Sequence, residues 1–123
     1  MSNQAQSSNK KYDLEERSAA FAEKVIEFLQ LLPINPINKP YIEQLARSSG
    51  SVCANYCEAD AAQSKKDFRH KIALCKKEAK ETRIWLRLLA KANPKYKNQC
   101  RKLWQEAHEL LLIFSAILNS DKR

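Results

Sequence analysis

The chain has 123 residues, 44% hydrophobic and 29% charged, which is the balance of one globular domain and excludes a wholly disordered polymer. A single Gly against four Pro excludes a sheet-rich fold, because strands need turns and turns draw on glycine. A formal charge of +8 at pH 7 directs attention to anionic partners.

Residues 1–12 are polar, rich in Ser, Asn and Gln, and read as a disordered tail without the apolar stretch of a signal peptide. A first helix is expected over 13–32, with the seam Leu14, Ser18, Phe21, Val25, Phe28 and Leu32. Asp13 and Glu16 form a capping-box-like start, and Pro33 supplies the stop. A stiff connector follows, with Asn38 expected as cap and Pro40 in the next first turn.

The second helix, over 39–62, carries three stripes. Tyr41, Ile42, Leu45, Val52 and Tyr56 are large; Ala46, Gly50 and Ala54 are small; Arg47, Ser51, Asn55 and Glu58 are polar. Small residues at four-residue spacing let another helix approach closely. So much apolar and polar face predicts cover on more than one side, and hence contact with a neighbouring subunit. Buried polar groups must be paired, so the polar stripe is read as a structural network, with Arg83 or Glu78 as its expected partners.

A third helix over 65–92 starts at Ser64 with Asp67 and ends at Asn93 and Pro94. A fourth over 96–119 has the seam Cys100, Leu103, Ala107, Leu110, Phe114 and Ile117, before a short tail at 120–123. Short connections make neighbours antiparallel, so 13–119 is expected to be an all-α, up-down-up-down four-helix bundle. The uncharged runs at 28–38 and 110–120 fall short of the roughly 20 apolar residues a membrane helix needs. A cytoplasmic protein without membrane contact is expected. Its four Cys are read as reduced, buried small hydrophobes.

The charge is segregated. Residues 61–102 hold fourteen Lys or Arg against Asp67, Glu78 and Glu81, a net +11, which leaves −3 for the rest. Lys76, Lys80, Arg83, Arg87 and Lys91 follow helical steps along one face. A tight turn brings Lys97, Arg101 and Lys102 to the same end. A solvated face normally mixes signs, so this one is read as a track for phosphates. Trp85, Tyr96 and Trp104 lie close in sequence and could stack on unpaired bases, although a Trp at helical spacing more often packs into a core.

Catalytic patterns are absent from the sequence. There is no Ser-His-Asp arrangement and no Gly-rich phosphate loop. Asp67 and His70 form one half-motif where a di-iron site needs two with further carboxylates, and Cys53 with Cys57 is one pair short of a zinc site. No enzyme activity, metal or cofactor is therefore expected.

Arg47-x-x-x-Ser51-Val52-x-x-Asn55-x-x-Glu58-Ala59 resembles the hallmark of the 23S rRNA intervening-sequence proteins, or four helix bundle proteins. Ser64 to Phe68, Glu78 with Glu81, and the C-terminal run from Glu109 extend the likeness across about 13–119. Asp60-Ala61 departs from it, since many relatives have a Gly there. The resemblance implies a four-helix bundle assembled as a homopentamer. The chain is also similar to the accessory variability protein of diversity-generating retroelements, which implies nucleic acid and a nucleic-acid enzyme as partners. The expectation is a non-enzymatic oligomer that binds nucleic acid, RNA ahead of DNA; the rival is a scaffold whose basic face meets an acidic protein.

Overall fold

The computed structural model describes residues 13–121. They form α1 (Asp13–Leu29), α2 (Asn38–Asp60), α3 (Lys65–Ala92) and α4 (Lys97–Asp121), with a 3-10 turn at Pro94–Tyr96 ahead of α4. No strand occurs among the described residues. α3 packs extensively on both α2 and α4, and α1 lies against α2, whereas α1 and α4 meet over a smaller area. The four-helix bundle is therefore tight on three sides and slack on the fourth.

The seams read from the sequence form its core. Leu14, Ser18, Phe21, Val25, Phe28 and Leu32 are buried, as are Ile72, Cys75, Ala79, Thr82, Leu86 and Leu89 of α3. Cys100, Leu103, Ala107, Leu110 and Phe114 are the α4 share, with Ile117 half-buried. Burying one such Leu or Phe is worth about 1.5–3 kcal/mol, so the seams specify the fold more strongly than any cap. Thr82 keeps its place among them because its hydroxyl meets that of Ser48 at 2.8 Å across α2 and α3.

The boundaries differ from expectation for local reasons. α1 ends at Leu29, not 32, because proline disfavours helical backbone in the residue before it. The chain tightens instead, Leu31 N–H donating to Phe28 O and Leu32 N–H to Leu29 O. α2 ends at Asp60, and α4 starts at Lys97 and runs to Asp121, so it takes in two residues of the expected tail. The tail expected over 1–12, the remainder at 122–123 and the capping side chain of Asp13 lie outside the described residues.

Asn38 is not the cap of α2. Asn35 takes that role, its Oδ1 accepting from the N–H groups of Ile37 (3.1 Å) and Asn38 (2.7 Å). Asn38 turns inward, 1% exposed, and its amide pairs with that of Asn93: Nδ2 of each donates to Oδ1 of the other, at 3.0 and 2.9 Å. Asn38 also donates to Pro33 O, and Asn93 to Leu89 O. One buried amide pair thus ties the connector ahead of α2 to the turn between α3 and α4. At α3 the expected cap is present, extended Ser64 accepting at 3.0 Å from Asp67 N–H. Among the described residues no helix is long and apolar enough to cross a membrane.

Candidate nucleic-acid interface

α3 separates its charges by sign. Glu78 and Glu81 turn towards α2, where Arg47 lies 3.3 Å from the first and 3.1 Å from the second. Of its cations, Arg83 reaches His108 of α4 at 3.0 Å and Arg87 lines the groove between α3 and α4, while Lys76, Lys80 and Lys91 are exposed. The two carboxylates nearest the basic line are thus engaged elsewhere. Among the described residues no carboxylate pairs with Lys76, Lys80, Arg87, Lys91, Lys97, Arg101 or Lys102, all of them exposed. From Lys76 to Lys91 the line runs roughly 22 Å, at 1.5 Å per residue.

Arg83 stands apart from its neighbours. It is half-buried, its guanidinium carbon 5.4 Å from the centre of the Trp104 ring. Because a guanidinium only donates, Nδ1 of His108 accepts and that ring carries its proton on Nε2. Trp104 and His108 stack at 5.0 Å and 16°. Arg83 therefore braces α3 against α4, and the expectation that it lies on the outer face with its neighbours is corrected.

Lys102 is also displaced from the group. It lines an open groove of about 650 Å³ between α1 and α4, floored by Phe21, Phe28 and Leu103. That rim mixes Lys24 and Lys102 with Glu27, Glu106 and Glu109, so it lacks a single sign. Arg17 of α1 is bound by two of these carboxylates, Glu106 (2.7 Å) and Glu109 (2.9 Å), which hold its charge more firmly than usual. A second groove of about 390 Å³ lies between α3 and α4, and its charged side chains are Arg87, Lys97 and Arg101. The structure thus brings these three together and sets Lys102 in the neighbouring groove.

The polar stripe of α2 does not form one network. Arg47 belongs to the pair of acids on α3, Asn55 donates to the Ser51 carbonyl of its own helix at 2.8 Å, and Glu58 meets Lys71 at 2.6 Å. Of the partners expected for it, Glu78 is present and Arg83 is not. Glu58 is exposed, and an exposed ion pair contributes little. Glu58→Ala is expected to shift Tm by less than about 3 °C in a thermal melt, where a buried orphan would cost far more.

Two cysteines are chemically quiet. Burial pushes the Cys75 thiol up to about 12 and that of Cys100 up to about 11, so both stay protonated at neutral pH and lack nucleophilic thiolate. Among the described residues no three His, Cys, Asp or Glu side chains gather as a metal would require. Sequence reasoning missed the Arg83–Trp104–His108 stack and the Arg17 clamp. The four-residue step from Trp104 to His108 was the available signal for the first.

The profile of the 23S rRNA-intervening sequence protein family matches residues 10–116. A solved structure of a protein of unknown function from the S23 ribosomal protein family of Bacteroides thetaiotaomicron is similar, with a TM-score of 0.75 and 28% identity. The match covers 85% of this chain and 97% of that one. No curated protein matches the chain.

Proposed function

The chain belongs to the 23S rRNA-intervening sequence protein family, and we propose that it is a non-enzymatic, cytoplasmic homo-oligomer that binds nucleic acid, RNA ahead of DNA, through α3 and the start of α4. One observation carries this reading: Lys76, Lys80, Arg87 and Lys91 of α3 face solvent while Glu78 and Glu81 of the same helix are held by Arg47 of α2. A chain selected only for solubility gains nothing from such sorting, whereas a polyanion reads it as a continuous field. Titration of single-stranded and duplex RNA and DNA at several salt concentrations tests it. A steep fall in affinity with salt supports the reading, and no binding at about 50 mM salt removes it. Exposed Ile84 and Leu88 on α3 favour a second reading, a scaffold for an acidic protein, whose binding would be far less sensitive to salt.

Assembly, as a pentamer by likeness to the family, is part of the proposal. From 48 to 57 α2 carries no charge, and Ala46, Gly50, Ala54 and Cys57 are exposed. Glycine inside a helix costs about 1 kcal/mol relative to Ala. A Cβ at Gly50 would meet nothing within 4 Å, so packing within the chain gives no reason for glycine there. Close approach of a neighbouring copy gives one. Light scattering over a micromolar dilution series is expected to report an oligomer, and Gly50→Leu to dissociate it without unfolding the chain. A wild-type monomer, or an unperturbed Gly50→Leu assembly, removes this part of the proposal.

A further inference from the structure

Resting on the nucleic-acid reading above, we propose that the groove between α3 and α4 is a subsite for one unpaired base of a single strand, stacked on Trp104. Three aromatic side chains accompany the basic stretch, and the structure separates them. Trp85 lies on the α2 flank, stacked with Tyr41 at 6.2 Å and 29°. Tyr96 packs edge-on against Phe28 of α1 at 6.3 Å. Trp104 alone of the three lines the groove that holds Arg87, Lys97 and Arg101.

The groove borders the ring on the side of the preceding turn of α4. The α4 residues lining the groove include Lys97, Cys100 and Arg101, one turn or more before Trp104, whereas His108 covers it from one turn beyond. Arg83 adds its guanidinium to the braced ring and ties His108 to α3. Side chains already fixed in this way lose little freedom when a ligand arrives. Leu86, Ala90 and Cys100 make the remaining wall apolar, and the Cys100 thiol stays uncharged, so a flat heterocycle meets no charge there. Gln105 supplies a donor and an acceptor at the mouth. With about 390 Å³, the groove has room for one nucleotide, whose flanking phosphates would meet Arg87, Lys97 and Arg101. A paired base lies within its stack and cannot enter, so the groove separates single strands from duplexes that the basic line alone would treat alike.

The chain has two Trp, so Trp85→Phe leaves Trp104 as the one reporter. Titrating this variant with an unstructured oligouridylate, its deoxy counterpart and a duplex of equal length is expected to quench Trp104 fluorescence with both single strands and not with the duplex. In the otherwise wild-type chain, Trp104→Leu is expected to weaken single-strand binding roughly 5- to 150-fold, the range for loss of one base–aromatic stack. The slope of log affinity against log salt should hardly change, because no cation is lost, and Trp104→Phe should retain most of the affinity. Single-strand binding without quenching overturns the subsite while leaving the basic face intact, as does equal weakening of single strand and duplex. Absence of all binding at low salt removes the parent reading, and the subsite with it. If Trp104→Leu does not fold, the fluorescence titration decides alone.

Discussion

Reversing the charge of Arg87, Lys91 and Arg101 together is expected to lower the affinity for nucleic acid about a thousandfold at about 50 mM salt. Each phosphate contact contributes about 0.7 to 0.9 to the slope of log affinity against log salt. At 0.05 M that is close to one decade per contact, so three contacts supply roughly three decades, and the slope should fall by about 2 to 3. Arg83 is left out of this set, because its guanidinium braces Trp104 and His108 and its replacement would disturb packing as well as charge. The three chosen side chains are exposed and take no carboxylate partner among the described residues, so Tm should move only a few degrees. The loss should be alike for different base sequences, since the contacts are to phosphates. A folded triple variant that binds as well as wild type would assign the positive face to another partner and advance the scaffold reading. In an oligomer the patch recurs around the symmetry axis, so the measured loss grows with each engaged copy.

Periodicity made the bundle legible because its signal is repeated many times. Phe21, Val25, Ile72, Leu86, Leu110 and Phe114 are each at most 1% exposed, and each falls on a seam visible in the sequence. Charge sorting was legible only in part. The sequence places Lys76, Lys80, Arg87 and Lys91 on one face, but cannot say which way a long side chain turns when it has a choice of partner. Arg83 turned to an imidazole and an indole; Glu78 and Glu81 turned to Arg47. Lys102 adjoins Arg101 in sequence, yet the 100° step between them puts the two in different grooves beside α4. Polar residues were the hardest to read. Arg47, Ser51, Asn55 and Glu58 share a stripe, but Arg47 and Glu58 pair separately with α3 while Asn55 turns back to the Ser51 carbonyl, because the distances between helices that decide such bonds are not encoded in spacing along one helix. The Asn38–Asn93 pair was invisible for the same reason, and capping preference suggested a different role for each.

That pair carries the largest expected effect on stability. Asn38 and Asn93 are 1% and 9% exposed and 55 residues apart, and each amide both gives and receives a bond across the bundle end. Asn38→Leu would leave Oδ1 of Asn93 without its donor in a buried contact, and the carbonyl of Pro33 without its donor in a half-buried one. Orphaning a buried polar group costs about 1–3 kcal/mol, so losing both partners at once should destabilise by about 2–4 kcal/mol. Asn93→Leu should cost a similar amount, because it also removes the bond to Leu89 O that closes α3. The double replacement removes both amides and leaves fewer of them stranded, so it should be milder than the sum of the singles by about 1–2 kcal/mol. Denaturant unfolding of the four chains at one protein concentration measures the cycle, the concentration being fixed because assembly adds its own stability. Since the pair anchors the turn that spaces α3 from α4, Asn38→Leu should also blunt the response of Trp104 to single strands while leaving the salt slope set by Arg87, Lys91 and Arg101 in place. Single replacements that cost under about 0.5 kcal/mol and add without coupling would mean that the amides are solvated in the folded protein and that the turn is held by packing alone.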